Sequence, residues 1–270
     1  MSDRPSVAVL GVGAMGGALA SGLIRAGWEP AEVSLCVRRL DRVDILASQT
    51  GCMTTLDPKE AIRGREVVVI AVKPHDVELL VAEIGHALSP EQVVLSLAAG
   101  VTTASYEGWL DRNPIIRAMP NTPALVGEGV TGVAPGSRAG EEDLDRAMTV
   151  LGAVGTVKAM DESLLDAVTA VSGTGPAYIF LLAEALTDAA VREGLPRDIA
   201  ETFVNQTVQG AGRLLTATDL TPSELRAQVT SPGGTTAAAV HVLEERGFRA
   251  LVEDAVQAAA VRARELGGGT

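Results

Sequence analysis

The residues with the clearest chemical use are the glycines of Gly11-Val12-Gly13-Ala14-Met15-Gly16. G-x-G-x-x-G is the spacing of a turn that brings backbone against a dinucleotide pyrophosphate. Gly11 permits the tight turn, Gly13 the close approach, and Gly16 the seating of the next helix on the strand. In a chain with 29 glycines the pattern alone says little. Its context says more: an apolar run (residues 6–10) precedes it, and Met15, Leu19, Leu23 and Ile24 follow at helical spacing. A phosphate there would meet the free N–H groups and positive dipole end of a helix. About 20 residues on, where an acid would serve the ribose hydroxyls of NAD, the chain reads Cys36-Val37-Arg38-Arg39, with Arg42 soon after. Guanidiniums grip a 2′-phosphate, so Arg38 and Arg39 favour NADP(H) while leaving NAD(H) open; the plainer alternative is a solvated basic turn.

Two further segments lie where such a cofactor would extend. Ala71-Val72-Lys73-Pro74 follows the most apolar run of the chain, and Lys73 is one of only three lysines, with Lys59 and Lys158. At the carboxyl end of a strand, a lysine and a rigid proline either border the cofactor or simply meet solvent. Pro120-Asn121-Thr122-Pro123 is a stiff loop in which Asn121 and Thr122 line a nicotinamide pocket or merely turn the chain.

These motifs need strands and helices to position them, and the hydrophobic periods supply both. Short apolar runs at 33–37, 66–72 and 93–97 read as buried strands, with helical spacing at 14–26, 41–48 and 76–88 between them. After Lys158 strand-like runs cease and Ala-rich helical stretches continue to Leu266. The expected fold is α/β: an N-terminal Rossmann-type doubly wound parallel sheet (residues 1–162) and a C-terminal all-α domain (residues 163–270). Small Ala faces let helices approach closely, and a helical unit of this size often completes its core with another chain, which predicts an obligate homodimer with substrate residues from both subunits.

Composition narrows the function classes. The 270 residues carry a net charge of −12, which repels phosphate backbones and anionic lipid, so neither nucleic acid nor membrane is expected as a partner. Two cysteines, Cys36 and Cys52, make no disulfide framework and read as reduced thiols of a cytoplasmic protein. Met1-Ser2-Asp3-Arg4-Pro5 is too polar to begin a signal peptide, and Gly267-Gly268-Gly269-Thr270 should fray. His75, His86 and His241 are scattered, so no metal site is expected. Ser231-Pro232-Gly233-Gly234-Thr235-Thr236, ahead of an Ala-rich helix, suits an anion: glycines allow close approach and the helix start offers N–H groups. A threonine hydroxyl there can orient a ring nitrogen as donor or acceptor.

Taken together, the segments resemble pyrroline-5-carboxylate reductases over nearly the whole chain. The resemblance rests on residues 11–16, 71–74 and 119–123, on Val171-Ser172-Gly173-Thr174-Gly175-Pro176-Ala177-Tyr178, and most specifically on 229–236 running through His241 and Gly247-Phe248-Arg249. It implies reduction of the cyclic imine Δ1-pyrroline-5-carboxylate to L-proline by NAD(P)H. It also implies a helical dimerisation domain and, in many relatives, a decamer built as a ring of five dimers. Thr236 matches the threonine that hydrogen-bonds the substrate nitrogen. Gly234 and Thr235 match the turn holding the carboxylate, and Ser172 and Gly173 a neighbouring substrate-side loop. Asp57-Pro58 departs from the relatives' asparagine at the adenosine ribose, although Asp57 can still cap a helix that starts at Pro58. The β-hydroxyacid dehydrogenases share the glycine turn but need a lysine in the helical domain, and none follows Lys158. A different reductase on the same frame and a non-catalytic nucleotide sensor remain the alternatives.

Overall fold

The computed structural model describes residues 4–268, so the expectations for Met1, Ser2 and Asp3 and for Gly269 and Thr270 lie outside it. Strand and helix alternate through β1 (Val7–Leu10), α1 (Ala14–Arg25), β2 (Val33–Cys36), α2 (Leu40–Thr50), β3 (Met53–Thr55), α3 (Pro58–Ile62), β4 (Val67–Ile70), α4 (Pro74–Ile84), β5 (Val93–Ser96), α5 (Thr103–Trp109) and β6 (Ile115–Met119). There follow β7 (Gly129–Pro135), α6 (Glu141–Gly152), β8 (Gly155–Ala159) and the short α7 (Leu165–Val168). Strand order is β3-β2-β1-β4-β5-β6-β7-β8. Every residue of β1, β2, β4 and β5 is buried, as continuous apolar runs between two helical layers require.

The sheet is parallel from β3 to β6, but β7 runs antiparallel to β6 and β8 runs parallel to β7. The doubly wound parallel sheet is as expected, and the one antiparallel pairing near its edge has connection length as its cause. A parallel neighbour needs a crossover of about a dozen residues or more. Between Met119 and Gly129 the chain has only a 3₁₀ turn (Thr122–Val126), closed by Gly127 at φ +78°. The helix α6 then provides the crossover that makes β7 and β8 parallel. The edge strands β3 and β8 gave no apolar run to detect, because most of their residues are half-buried or exposed.

Five helices complete the chain: α8 (Gly175–Arg192), α9 (Arg197–Ala217), α10 (Pro222–Gln228), α11 (Thr235–Glu245) and α12 (Phe248–Leu266). Two compact units divide the described residues, one running to Thr174 and resuming at Ala259, the other Gly175–Ala258. The first holds the sheet and its apolar core. In the second, only Thr187 and Ala200 are buried, while Phe180 is 66% and Phe203 67% exposed. A single copy of this unit therefore has almost no core. The continuous helical stretch Glu162–Arg192 is long and apolar enough to cross a bilayer by length and composition alone, although Asp166, Glu184 and Asp188 interrupt it.

Candidate active site

The glycine turn is built as its spacing predicts. Gly11 sits at φ +97° and donates its N–H to the Cys36 carbonyl at 3.0 Å. A Cβ on it would lie 2.8 Å from Cγ1 and 2.9 Å from N of Val72. A Cβ on Gly16 would overlap the Gly11 carbonyl oxygen, so Gly16 is a packing residue beneath the turn. Gly13 differs: nothing lies within 4 Å of where its Cβ would be. The protein's own packing does not require glycine there, and the open space is a cradle. Gly13 also caps α1 with no side-chain hydrogen bond and no acid in the first turn, leaving backbone donors facing outward.

That cradle opens into a cleft of about 630 Å³ lined by Gly11, Gly13, Ala14, Met15, Arg38, Arg39, Ala71, Val72, Lys73 and Pro74. The structure thus brings ten of the twelve expected cofactor residues together, at the carboxyl ends of β1, β2 and β4. Gly16 lies under the turn, and Asn121 is not on the wall, although its neighbour Thr122 is. Leu97, Ala98 and Ala99 also line the cleft. Their signal was available, since they follow β5 as Ala71 and Val72 follow β4.

Arg38 Nη1 lies 2.8 Å from Asp76 Oδ2, and Arg39 engages Asp41 through two hydrogen bonds of 3.0 and 2.6 Å. The Asp41 carboxyl is held below its ordinary pKa by the Arg39 hydrogen bonds, and Arg39 is raised in return. Arg42, also on the wall, makes no ion pair among the described residues. Burial first, then Glu83 and Asp57, pushes the Cys36 thiol up to about 11. Asp57 accepts from Lys59 N at 2.9 Å with Pro58 opening α3, the cap expected of it.

Ser172 and Gly173 occupy a π-helical turn, Thr169–Gly173, whose Thr174 N–H reaches back to the Thr169 carbonyl at 2.9 Å. A Cβ on Gly173 would lie 2.7 Å from Cε of Met119. In the other compact unit, Gly233 at φ +67° and Gly234 shape the start of α11. Gly234 caps that helix without a side-chain hydrogen bond, and a Cβ on it would strike Ser231 Oγ. Thr235 and Thr236 form its first turn, Thr236 half-buried. Behind them, Glu244 at the end of α11 accepts from Arg249 at 2.8 to 3.0 Å and pairs with Arg226 at 3.4 Å, tying α10, α11 and α12 together. That clamp is what Arg249 of Gly247-Phe248-Arg249 does here.

Comparison with known proteins decides the family. A family model described as pyrroline-5-carboxylate reductase dimerisation matches residues 162–266, and one described as NADP oxidoreductase, coenzyme F420-dependent, matches residues 6–100. A pyrroline-5-carboxylate reductase of Mycobacterium tuberculosis is 44% identical over 284 residues, covering 96% of each chain. The chain belongs to the pyrroline-5-carboxylate reductase family. A solved member from Coxiella burnetii superposes with a TM-score of 0.93 at 39% identity, covering 98% of this chain and 99% of that one. A Plasmodium falciparum member solved with NADP bound has a TM-score of 0.86 at 29% identity, covering 98% and 99%. Within this family the chain is an oxidoreductase with a helical C-terminal dimerisation region, and its exposed apolar side chains concentrate there.

Proposed function

We propose that this chain reduces Δ1-pyrroline-5-carboxylate to L-proline, the last step of proline biosynthesis, with NADP(H) preferred and NAD(H) accepted. The observation that carries the reading is the second helix start. Helix α11 opens with uncapped N–H groups behind a Ser-Pro-Gly-Gly turn, in a chain whose full length matches pyrroline-5-carboxylate reductases. The nicotinamide cofactor fits the first unit, because the Gly13 cradle offers space and α1 starts without a side-chain cap among the described residues. Gly11, Gly13, Ala14 and Met15 would hold its pyrophosphate, Arg38 and Arg39 its 2′-phosphate, and Ala71, Val72, Lys73 and Pro74 its flank. When bound, it supplies the hydride that the imine carbon accepts.

The chain's own residues then bind and orient. The Gly234–Thr235 turn holds the substrate carboxylate without a charged side chain, through the N–H groups left free in the first turn of α11, since the Gly234 N–H itself donates to the Ser231 carbonyl at 3.0 Å. The Thr236 hydroxyl hydrogen-bonds the ring nitrogen and fixes which face of the imine is presented. A protonated imine is already a good hydride acceptor, so positioning supplies most of the acceleration. The domains act as residues 1–162 for the cofactor and 163–270 for substrate and assembly. With only two buried residues in 175–258, the helices need a second copy to form a core, and the same need accounts for the apolar stretch Glu162–Arg192 without a bilayer. The working unit is a homodimer with composite substrate sites, a decamer of five dimers being the larger assembly. Two buried, unpaired cysteines suit the cytoplasm.

The test is imine-dependent oxidation of NADPH by the purified chain, repeated with NADH. Rapid oxidation, faster with NADPH, is the expected result. Tight NADPH binding with no imine turnover would favour a nucleotide sensor instead.

A further inference from the structure

Asn121 carries a cofactor-binding expectation, but its side chain is committed elsewhere. It is 8% exposed and accepts the Val130 N–H at 3.0 Å through Oδ1. Because a backbone N–H can only donate, this contact fixes the amide: Oδ1 faces β7 and Nδ2 faces the other way. Nδ2 then lies 3.3 Å from the Ser172 carbonyl oxygen and 3.3 Å from Ser172 Oγ. The amide nitrogen thus lies within hydrogen-bond distance of two oxygens of one residue.

Ser172 is a position that needs such help. In a regular helix its carbonyl would accept from the residue four places on, which is Pro176 and has no N–H. The π-helical turn at Thr169–Gly173 is the local sign of that disruption. Asn121 supplies a donor to this carbonyl from the loop after β6. It also claims a lone pair of Oγ, which leaves the Ser172 O–H to act as a donor.

We propose that Asn121 is a positioning residue that sets the Ser172 hydroxyl as a donor to an acceptor oxygen of a bound reactant. The oxygen belongs either to the substrate carboxylate or to the carboxamide of the nicotinamide; both accept one O–H in the same way. The proposal rests on the reductase reading above. Asn121 acts through Ser172 and does not itself hold the cofactor.

The experiment compares Asn121→Ala, Asn121→Asp, Ser172→Ala and the Asn121→Ala/Ser172→Ala double variant in the full chain. For each, the imine KM, kcat and the NADPH Kd from a fluorescence titration are measured. Removing a hydrogen bond to a charged or strongly polar acceptor should weaken one constant about tenfold or more. The same constant should move in both single variants: the imine KM if the oxygen is the carboxylate, the NADPH Kd if it is the carboxamide. The double variant should be no worse than the more impaired of the two single ones. Asn121→Asp keeps the shape and the acceptor for Val130, but its carboxylate repels the Ser172 carbonyl and accepts the hydrogen bond of the Ser172 O–H, so it should be worse than Asn121→Ala. Additive effects, different constants moving in the two single variants, or an Asn121→Asp enzyme equal to the unmodified one would overturn the proposal. Absence of imine turnover in the unmodified chain would instead remove the reductase reading, and the proposal with it.

Discussion

Arg117 Nη1 lies 3.1 Å from Glu162 Oε1, joining the buried face of β6 to the residue three places before α7. The Arg117 side chain is 8% exposed and has a second carboxylate, Asp166, at 3.8 Å. Glu162 also accepts from the N–H and hydroxyl of Thr103 at 2.8 and 2.5 Å. Burial works against its charge, but the Thr103 donors and the Arg117 guanidinium outweigh it and hold the carboxyl below its usual pKa. Such a group contributes stability above its unfolded pKa of about 4.3, and loses it as pH falls through the lower folded value.

Glu162→Gln should therefore cost about 1–3 kcal/mol at neutral pH by leaving Arg117 short of a partner. It should also flatten the acid limb below about pH 4.3. Urea unfolding across pH, at one protein concentration, checks both; equal slopes for variant and parent would show that the pair is not linked to acid sensitivity.

The glycines of the turn should separate cleanly. Gly16→Ala drives a methyl into the Gly11 carbonyl and should destabilise the fold by about 1–3 kcal/mol, as overpacking does. Gly13→Ala meets nothing in the protein, so its melting temperature should hold while NADPH affinity falls at least about tenfold, or ~1.4 kcal/mol. Calorimetry with and without NADPH distinguishes the two.

Replacing both Arg38 and Arg39 by Ala should raise the NADPH KM about 10- to 100-fold, at about 1.5–3 kcal/mol for a charge-assisted contact. The NADH KM should change little. Parallel loss with both cofactors would mean that the guanidiniums do not read the 2′-phosphate.

Phe180→Asp combined with Phe203→Asp places charge on two side chains that are more than half exposed in one copy. If these faces are buried between copies, sedimentation should show a smaller species with little turnover. An unchanged mass would exclude these two side chains from the interface.

Thr236→Ala should lower kcat while leaving the NADPH Kd unaltered, since Thr236 lies in the first turn of α11 and the cofactor residues line a cleft in the other compact unit. Stopped-flow turnover with a separate binding titration resolves the two constants.

Much of this was legible along the chain. The strands β1, β2, β4 and β5 announce themselves as apolar runs because both their faces are covered. The capping of α3 by Asp57 and the stop of α1 at Gly27 (φ +90°) follow from local backbone preferences. The edge strands β3 and β8 escaped notice, since pairing holds them in the sheet more than burial does. The reversal at β7 depended on a turn whose effect on strand direction no periodicity records.

The site divides along the same line. Its glycines, its arginines and the Ser231 to Thr236 turn are properties of residue type and spacing, and those survive without a fold. Which glycine shields the turn and which leaves a cradle was decided in three dimensions, as was the commitment of Arg38 to Asp76 and of Asn121 to Ser172. A donor's availability depends on every group that reaches it, and those groups come from segments distant in sequence.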